Sequence, residues 1–82
     1  MPTALRFDGL RVMIYVDDHR PAHVHVIGGD GEAVFVLNCP DGPPHLRENY
    51  GMALKALNRI QKELVGKLSV LCPKWTELHG DF

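Results

Sequence analysis

The apolar residues of this 82-residue chain change their period partway along it. In the first half they alternate: Leu10, Val12, Ile14 and Val16 fall on one face of a strand, while Arg11, Met13, Tyr15 and Asp17 fall on the other. From about residue 50 the step becomes three and four, so that Leu54, Leu57, Ile60, Leu64, Leu68 and Leu71 form one stripe along a helical surface. A chain that starts with period two and ends with period 3.6 hides its apolar surface most simply by laying helices on a sheet. The fold predicted is therefore α+β, a small mainly antiparallel sheet of about four strands followed by a C-terminal helical half packed on one face.

Turn chemistry divides the first half. Residues 3–7 read as a strand, and Asp8-Gly9 suits a type I′ hairpin turn, in which both central residues take positive φ, leading into a second strand over 10–16. In the third strand Ala22, Val24 and Val26 take the core-facing parity and alternate with His23 and His25. Gly28-Gly29-Asp30-Gly31 turns the chain again, and residues 32–37 are apolar on both faces after Glu32, as expected of a strand covered on both sides at the spine of the sheet. Pro40, Gly42, Pro43 and Pro44 make residues 38–49 a connecting loop. Two helices are expected, one over about 50–65 and one ending near His79-Gly80. Gly66 ends or weakens the first, and Pro73 is compatible with a helix only where a new one starts. The whole, strands in 1–37, loop in 38–49 and helices in 50–80, reads as one domain over 1–82.

Composition narrows the class. A domain this small buries only about 60% of its unfolded surface, so a partner or a second copy of the chain would help it. Apolar residues at 45% and charged residues at 23% describe a folding chain rather than a disordered one. A formal net charge of −1 gives no long-range attraction to nucleic acid, which would have to be held by a local basic patch. Cys39 and Cys72 form no CxxC pair and are too few for the disulfide framework of a small secreted domain, so a reduced, cytoplasmic setting is expected. No apolar run approaches the roughly 20 residues of a membrane span, and the start lacks the pattern of a signal peptide.

Chemistry concentrates in Asp18-His19-Arg20-Pro21-Ala22-His23-Val24-His25-Val26, which carries three of the five histidines. His23 and His25, two residues apart on a strand, point the same way with Cβ atoms roughly 6–7 Å apart, within joint reach of a metal ion. His19 is the expected third ligand, swinging in from the turn, and three neutral imidazoles with an open fourth position suit zinc or a similar divalent metal. The same residues read without metal as a general base and a general acid, with Arg20 or Arg11 gripping a phosphate for phosphodiester cleavage. Tyr15 and Glu32, on neighbouring strands, are candidates to orient the pair. The plainer reading makes the histidines the polar side of an amphipathic strand, with Tyr15 and Glu32 in ordinary cross-strand packing.

At these residues the chain resembles a small bacterial family catalogued as domain of unknown function 4160. The resemblance is carried by Met1-Pro2-Thr3, by the histidine run, by Gly31-Glu32-Ala33 and by Trp75, and it covers most of the chain. It implies a toxin–antitoxin arrangement with an adjacent-gene partner protein; joined to the local chemistry, this gives the expectation of a toxin-like protein binding or cleaving RNA through His19, Arg20, His23 and His25, with a metal-binding domain built on the histidine triad, or a non-enzymatic protein-interaction module, as the alternatives. Arg20-Pro21-Ala22 departs from the two prolines that the family often places between its first and second histidines, and Pro73 and the prolines of 40–44 depart from its smoother helical half.

Elsewhere, Lys55, Arg59, Lys62 and Lys67 lie off the leucine stripe and present a basic helical face to RNA or to an acidic partner. Glu63 among them allows i±4 pairing with Arg59 and Lys67, which is the reading of an ordinary solvated face. Cys39 and His45 flank the proline-rich loop as a weak metal-ligand pattern, and Trp75, Leu78 and Phe82 are expected to pin the last helix to the core.

Overall fold

The computed structural model describes residues 3–29 and 31–82. Met1-Pro2, part of the family resemblance, and Asp30, part of the third turn, lie outside the described residues. Five strands, β1 (Thr3–Phe7), β2 (Leu10–Met13), β3 (His23–Ile27), β4 (Glu32–Val36) and β5 (His45–Tyr50), precede two helices, α1 (Leu54–Val65) and α2 (Leu68–His79). The strands form one antiparallel sheet in sequence order. The fold is α+β, as the change of period predicts.

The hairpin at Asp8-Gly9 has positive φ at both residues, 50° and 75°, as its type demands. At the other tight point, a Cβ on Gly31 would sit 2.2 Å from the carbonyl oxygen of Tyr50, so only glycine lets β4 begin this close to the end of β5. Strand β4 is interior, bonded to β3 and β5, and Ala33, Val34, Phe35, Val36 and Leu37 are all buried, in keeping with its both-face apolar sequence.

Val12, Ile14, Ala22, Val24, Val26, Ala33, Phe35 and Leu37 form one core with Leu57, Ile60 and Leu64 of α1 and Leu68, Leu71, Cys72 and Trp75 of α2. Each large apolar side chain removed from water contributes about 1.5–3 kcal/mol, so this helix-covered face supplies most of the drive to fold.

Several expectations are corrected. A fifth strand, β5, occupies the second half of the segment read as loop, because the prolines stop at Pro44 and leave six residues free to pair with β4. It is an edge strand with every residue exposed, which removes the alternation that reveals a strand in a sequence. β2 ends at Met13, so Val16 lies in the following loop and is 70% exposed rather than in the core. Leu54, at the first position of α1, is 72% exposed rather than on the sheet. Trp75 is buried as expected, but Leu78 and Phe82 are exposed.

Pro73 lies inside α2 instead of starting a helix. Both Pro73 and Ser69, whose carbonyl loses its intrahelical donor, are exposed, which leaves that carbonyl on the solvent side of the helix instead of in the core. Cys39 and Cys72 are not free thiols: they form a disulfide that ties the proline-rich loop to α2 across 33 residues. On chain-entropy grounds a loop of that length is worth about 3–4 kcal/mol.

Candidate metal centre

The loop between β2 and β3 closes on itself through two reciprocal bonds. The Asp18 N–H donates to the Tyr15 carbonyl at 3.1 Å, and the Tyr15 N–H donates to Asp18 Oδ2 at 3.2 Å. This is the local side-chain-to-backbone bonding that aspartate favours in turns, and it aims the carboxylate inward. His23 and His25 then follow on β3, on the sheet face opposite Val24 and Val26, as their parity predicts.

Each imidazole is held at its Nδ1. His23 Nδ1 lies 2.8 Å from the Pro21 carbonyl oxygen, and His25 Nδ1 lies 3.2 Å from Glu32 Oε2. Both partners are acceptors, so in the neutral rings both Nδ1 atoms carry the proton and both Nε2 atoms keep a lone pair. The Nε2 atoms converge on one oxygen: Asp18 Oδ2 is 3.5 Å from that of His23 and 3.4 Å from that of His25. His25 Nε2 is fully buried and makes no hydrogen bond, because its approach to Asp18 lacks the necessary alignment.

Two lone pairs and a carboxylate oxygen facing one another repel unless something positive stands between them. The three ligand atoms lie within 4.8 Å of one another. Donors about 2.1 Å from a tetrahedral ion are separated from each other by about 3.4 Å, which matches the two nitrogen–oxygen distances. The Nδ1 contacts complete the pattern, since metal-bound histidines ordinarily donate their other N–H to a carboxylate or a backbone carbonyl, fixing tautomer and ring orientation. The side chains of Asp18, His23 and His25 are 14%, 8% and 19% exposed, low enough to make the unbalanced lone pairs costly.

The residues singled out in the sequence separate into two groups. His23 and His25 meet; Glu32 orients His25; and the Tyr15 ring sits edge-on to His25 with centroids 4.7 Å apart. His19 is exposed and outside the cluster, its expected place as third ligand taken by Asp18, whose carboxylate the Tyr15 N–H captures. Arg20 is exposed and pairs with Asp81 at 3.6 Å. Arg11 is exposed in β2 opposite Ile27, two residues along from Met13, which faces His25. Lys55, Arg59 and Lys62 line, with Asn58, a groove of about 320 Å³ on the outer side of α1, across the sheet from the histidines, and Arg59 reaches Asp8 at 3.8 Å. Cys39 is taken up by the disulfide and His45 contacts Asn38, so these two do not form a ligand pair.

Sequence reasoning passed over Asp18 although it opens the histidine run, and it gave Trp75 and His79 no part in the site. The Trp75 ring lies 5.3 Å from that of His23 and stacks on His79 at 4.0 Å, while His79 Nε2 reaches the Tyr15 carbonyl at 3.0 Å. A residue separation of 64 carries no local signal for that last contact.

Among known proteins, the sequence profile of a family described as domain of unknown function (DUF4160) matches residues 9–76, a span that contains the cluster, the sheet from β2 onward and most of α2. No curated protein and no solved structure matches the chain. No helix among the described residues is long and apolar enough to cross a membrane.

Proposed function

We propose that this chain, which belongs to the DUF4160 family, is a divalent-metal-binding domain whose ion is held by Nε2 of His23, Nε2 of His25 and the carboxylate of Asp18. The observation that carries the reading is the buried, unpartnered Nε2 of His25 aimed at a carboxylate that its companion imidazole also faces. Zinc suits two imidazoles and a carboxylate, and three protein ligands leave a fourth position for water, which a bound ion would make a better nucleophile at neutral pH.

The reading that joins the family resemblance to the local chemistry is narrower: a toxin-like protein acting on RNA, with a partner encoded beside it. What supports it is the groove lined by Lys55, Arg59 and Lys62. That groove and the histidines lie on opposite sides of the sheet, so a nucleic acid strand held in it would not present its phosphates to the ion. Metal binding is therefore the reading preferred, and RNA cleavage is the stricter claim.

Protein purified without a histidine tag should carry or take up one zinc per chain by elemental analysis and calorimetry. Asp18→Ala and His25→Ala should each abolish stoichiometric binding, whereas His19→Ala should leave it intact. Wild-type protein that stays metal-free under zinc, cobalt and manganese ends the proposal. Dependence on His19 in place of Asp18 would replace the ligand set. Cleavage of RNA only in the presence of the ion would restore the narrower reading.

A further inference from the structure

We propose that His79, at the far end of the chain, is a positioning residue for the ion site, acting through the backbone of Tyr15. This rests on the metal reading above. A carbonyl only accepts, so His79 Nε2 must be the protonated nitrogen, and it donates to the Tyr15 oxygen at 3.0 Å. That oxygen also accepts the Asp18 N–H, while the Tyr15 N–H holds the Asp18 carboxylate. Tyr15 is thus the frame on which Asp18 is mounted, and His79 fixes the frame from outside the loop.

The same helix reaches a second ligand. Trp75, one turn before His79 and stacked on it, lies with its ring 5.3 Å from that of His23. Trp75 is itself wholly buried in the core, and its indole N–H donates to the Asp81 carbonyl, so its position is set independently of the loop. Arg20, within the same loop, is drawn to the Asp81 side chain at 3.6 Å. The end of α2 therefore meets the loop at both sides of Asp18, whereas His25 is oriented by Glu32 from β4 and reaches α2 only through the Tyr15 ring.

A loop free to sample other conformations would hold the Asp18 oxygen in place for part of the time, and ion affinity falls with that fraction. Partners that orient metal ligands commonly cost 10–100-fold in affinity when removed, and an indirect one such as His79 belongs at the lower end.

Two substitutions separate the hydrogen bond from the ring stack. His79→Phe keeps an aromatic ring on Trp75 but has no donor, and His79→Gln gives up the ring but keeps an N–H able to reach Tyr15. Cobalt titration of the full, tag-free chain, read by d–d absorption and by quenching of the single tryptophan, with zinc affinity from competition, should give about tenfold weaker binding for His79→Phe. His79→Gln should bind more tightly than His79→Phe and lose less than the tenfold expected of it, because a donor is kept. Wild-type binding by His79→Phe, or equal losses in both variants, overturns the assignment while leaving the metal site standing. A wild-type chain that takes up no cobalt and no zinc removes the site itself.

Discussion

The two faces of β3 are built on different principles. Val24 and Val26 look toward the helices and are fully buried among many interchangeable apolar neighbours, whereas His23 and His25 look the other way and depend on a few specific partners. On the helix side, position is set by volume and exclusion of water, so hydrophobic residues of similar size could trade places at modest cost. On the histidine side each ring has one acceptor behind it and one shared oxygen in front, and no apolar substitute reproduces that arrangement. Met13, Val34 and Val36 are buried on the histidine side too, so it is the histidine pair, rather than the whole face, that is particular.

The contrast is most severely tested at Phe35, which pairs with Val24 on the helix side. Phe35→Ala should cost about 3–5 kcal/mol of stability, read as a shift in the urea midpoint, a large share of what holds a small domain folded. A cost below about 1 kcal/mol would mean that the helices do not press on this face. Glu32→Ala tests the opposite side. Its carboxylate is 39% exposed, so metal-free stability should move by no more than about 1 kcal/mol. Metal affinity should nevertheless fall at least about tenfold as the His25 ring loses its anchor. Equal effects on stability and affinity would erase the distinction between the faces.

The smallest effect lies at the outer margin of the histidine side. Tyr50, opposite Glu32 in register, donates its hydroxyl to Glu48 at 2.7 Å, and this bond, followed by the repulsion that the carboxylate exerts on a phenolate, raises the Tyr50 pKa above its usual value. The folded chain therefore retains that proton more firmly than the unfolded chain. The associated stability is present below the ordinary phenol pKa of about 10 and is lost as pH rises through the elevated one. In a titration followed by tyrosine resonances, Glu48→Gln should bring the Tyr50 midpoint back down. An unchanged midpoint would show that the bond is not formed in solution.

Legibility in the sequence follows the same division. β2, β3 and both helices are legible because burial imposes a period, β4 because its run is apolar on both faces, and β1 because the Asp8-Gly9 turn bounds it. β5 is not, since a wholly exposed edge strand has no buried side chain to repeat and sits directly behind three prolines. Val16 and Leu54 were assigned to the core because periodicity does not say where an element stops, and each lies at or beyond an end. In the candidate site, the shared direction of His23 and His25 could be read from their spacing alone. Which of Asp18 and His19 turns inward could not be read, because that depends on a loop bond to Tyr15. The meeting of Glu32 with His25 depends on hairpin register, and that of His79 with Tyr15 on the packing of the last helix. The link between Cys39 and Cys72 was equally out of reach, since two isolated cysteines say nothing of their separation in space.

That sulfur link also governs what happens if the chain is cut. Its ring encloses all of β5 and α1, the elements between residues 39 and 72. A protease nick anywhere in the exposed stretch from His45 to Tyr50 would leave two fragments still covalently joined, one bearing Asp18, His23 and His25 and the other bearing Trp75 and His79. Under oxidising conditions such a nicked molecule keeps both portions of the candidate site in a single particle, and a reductant is needed to separate them.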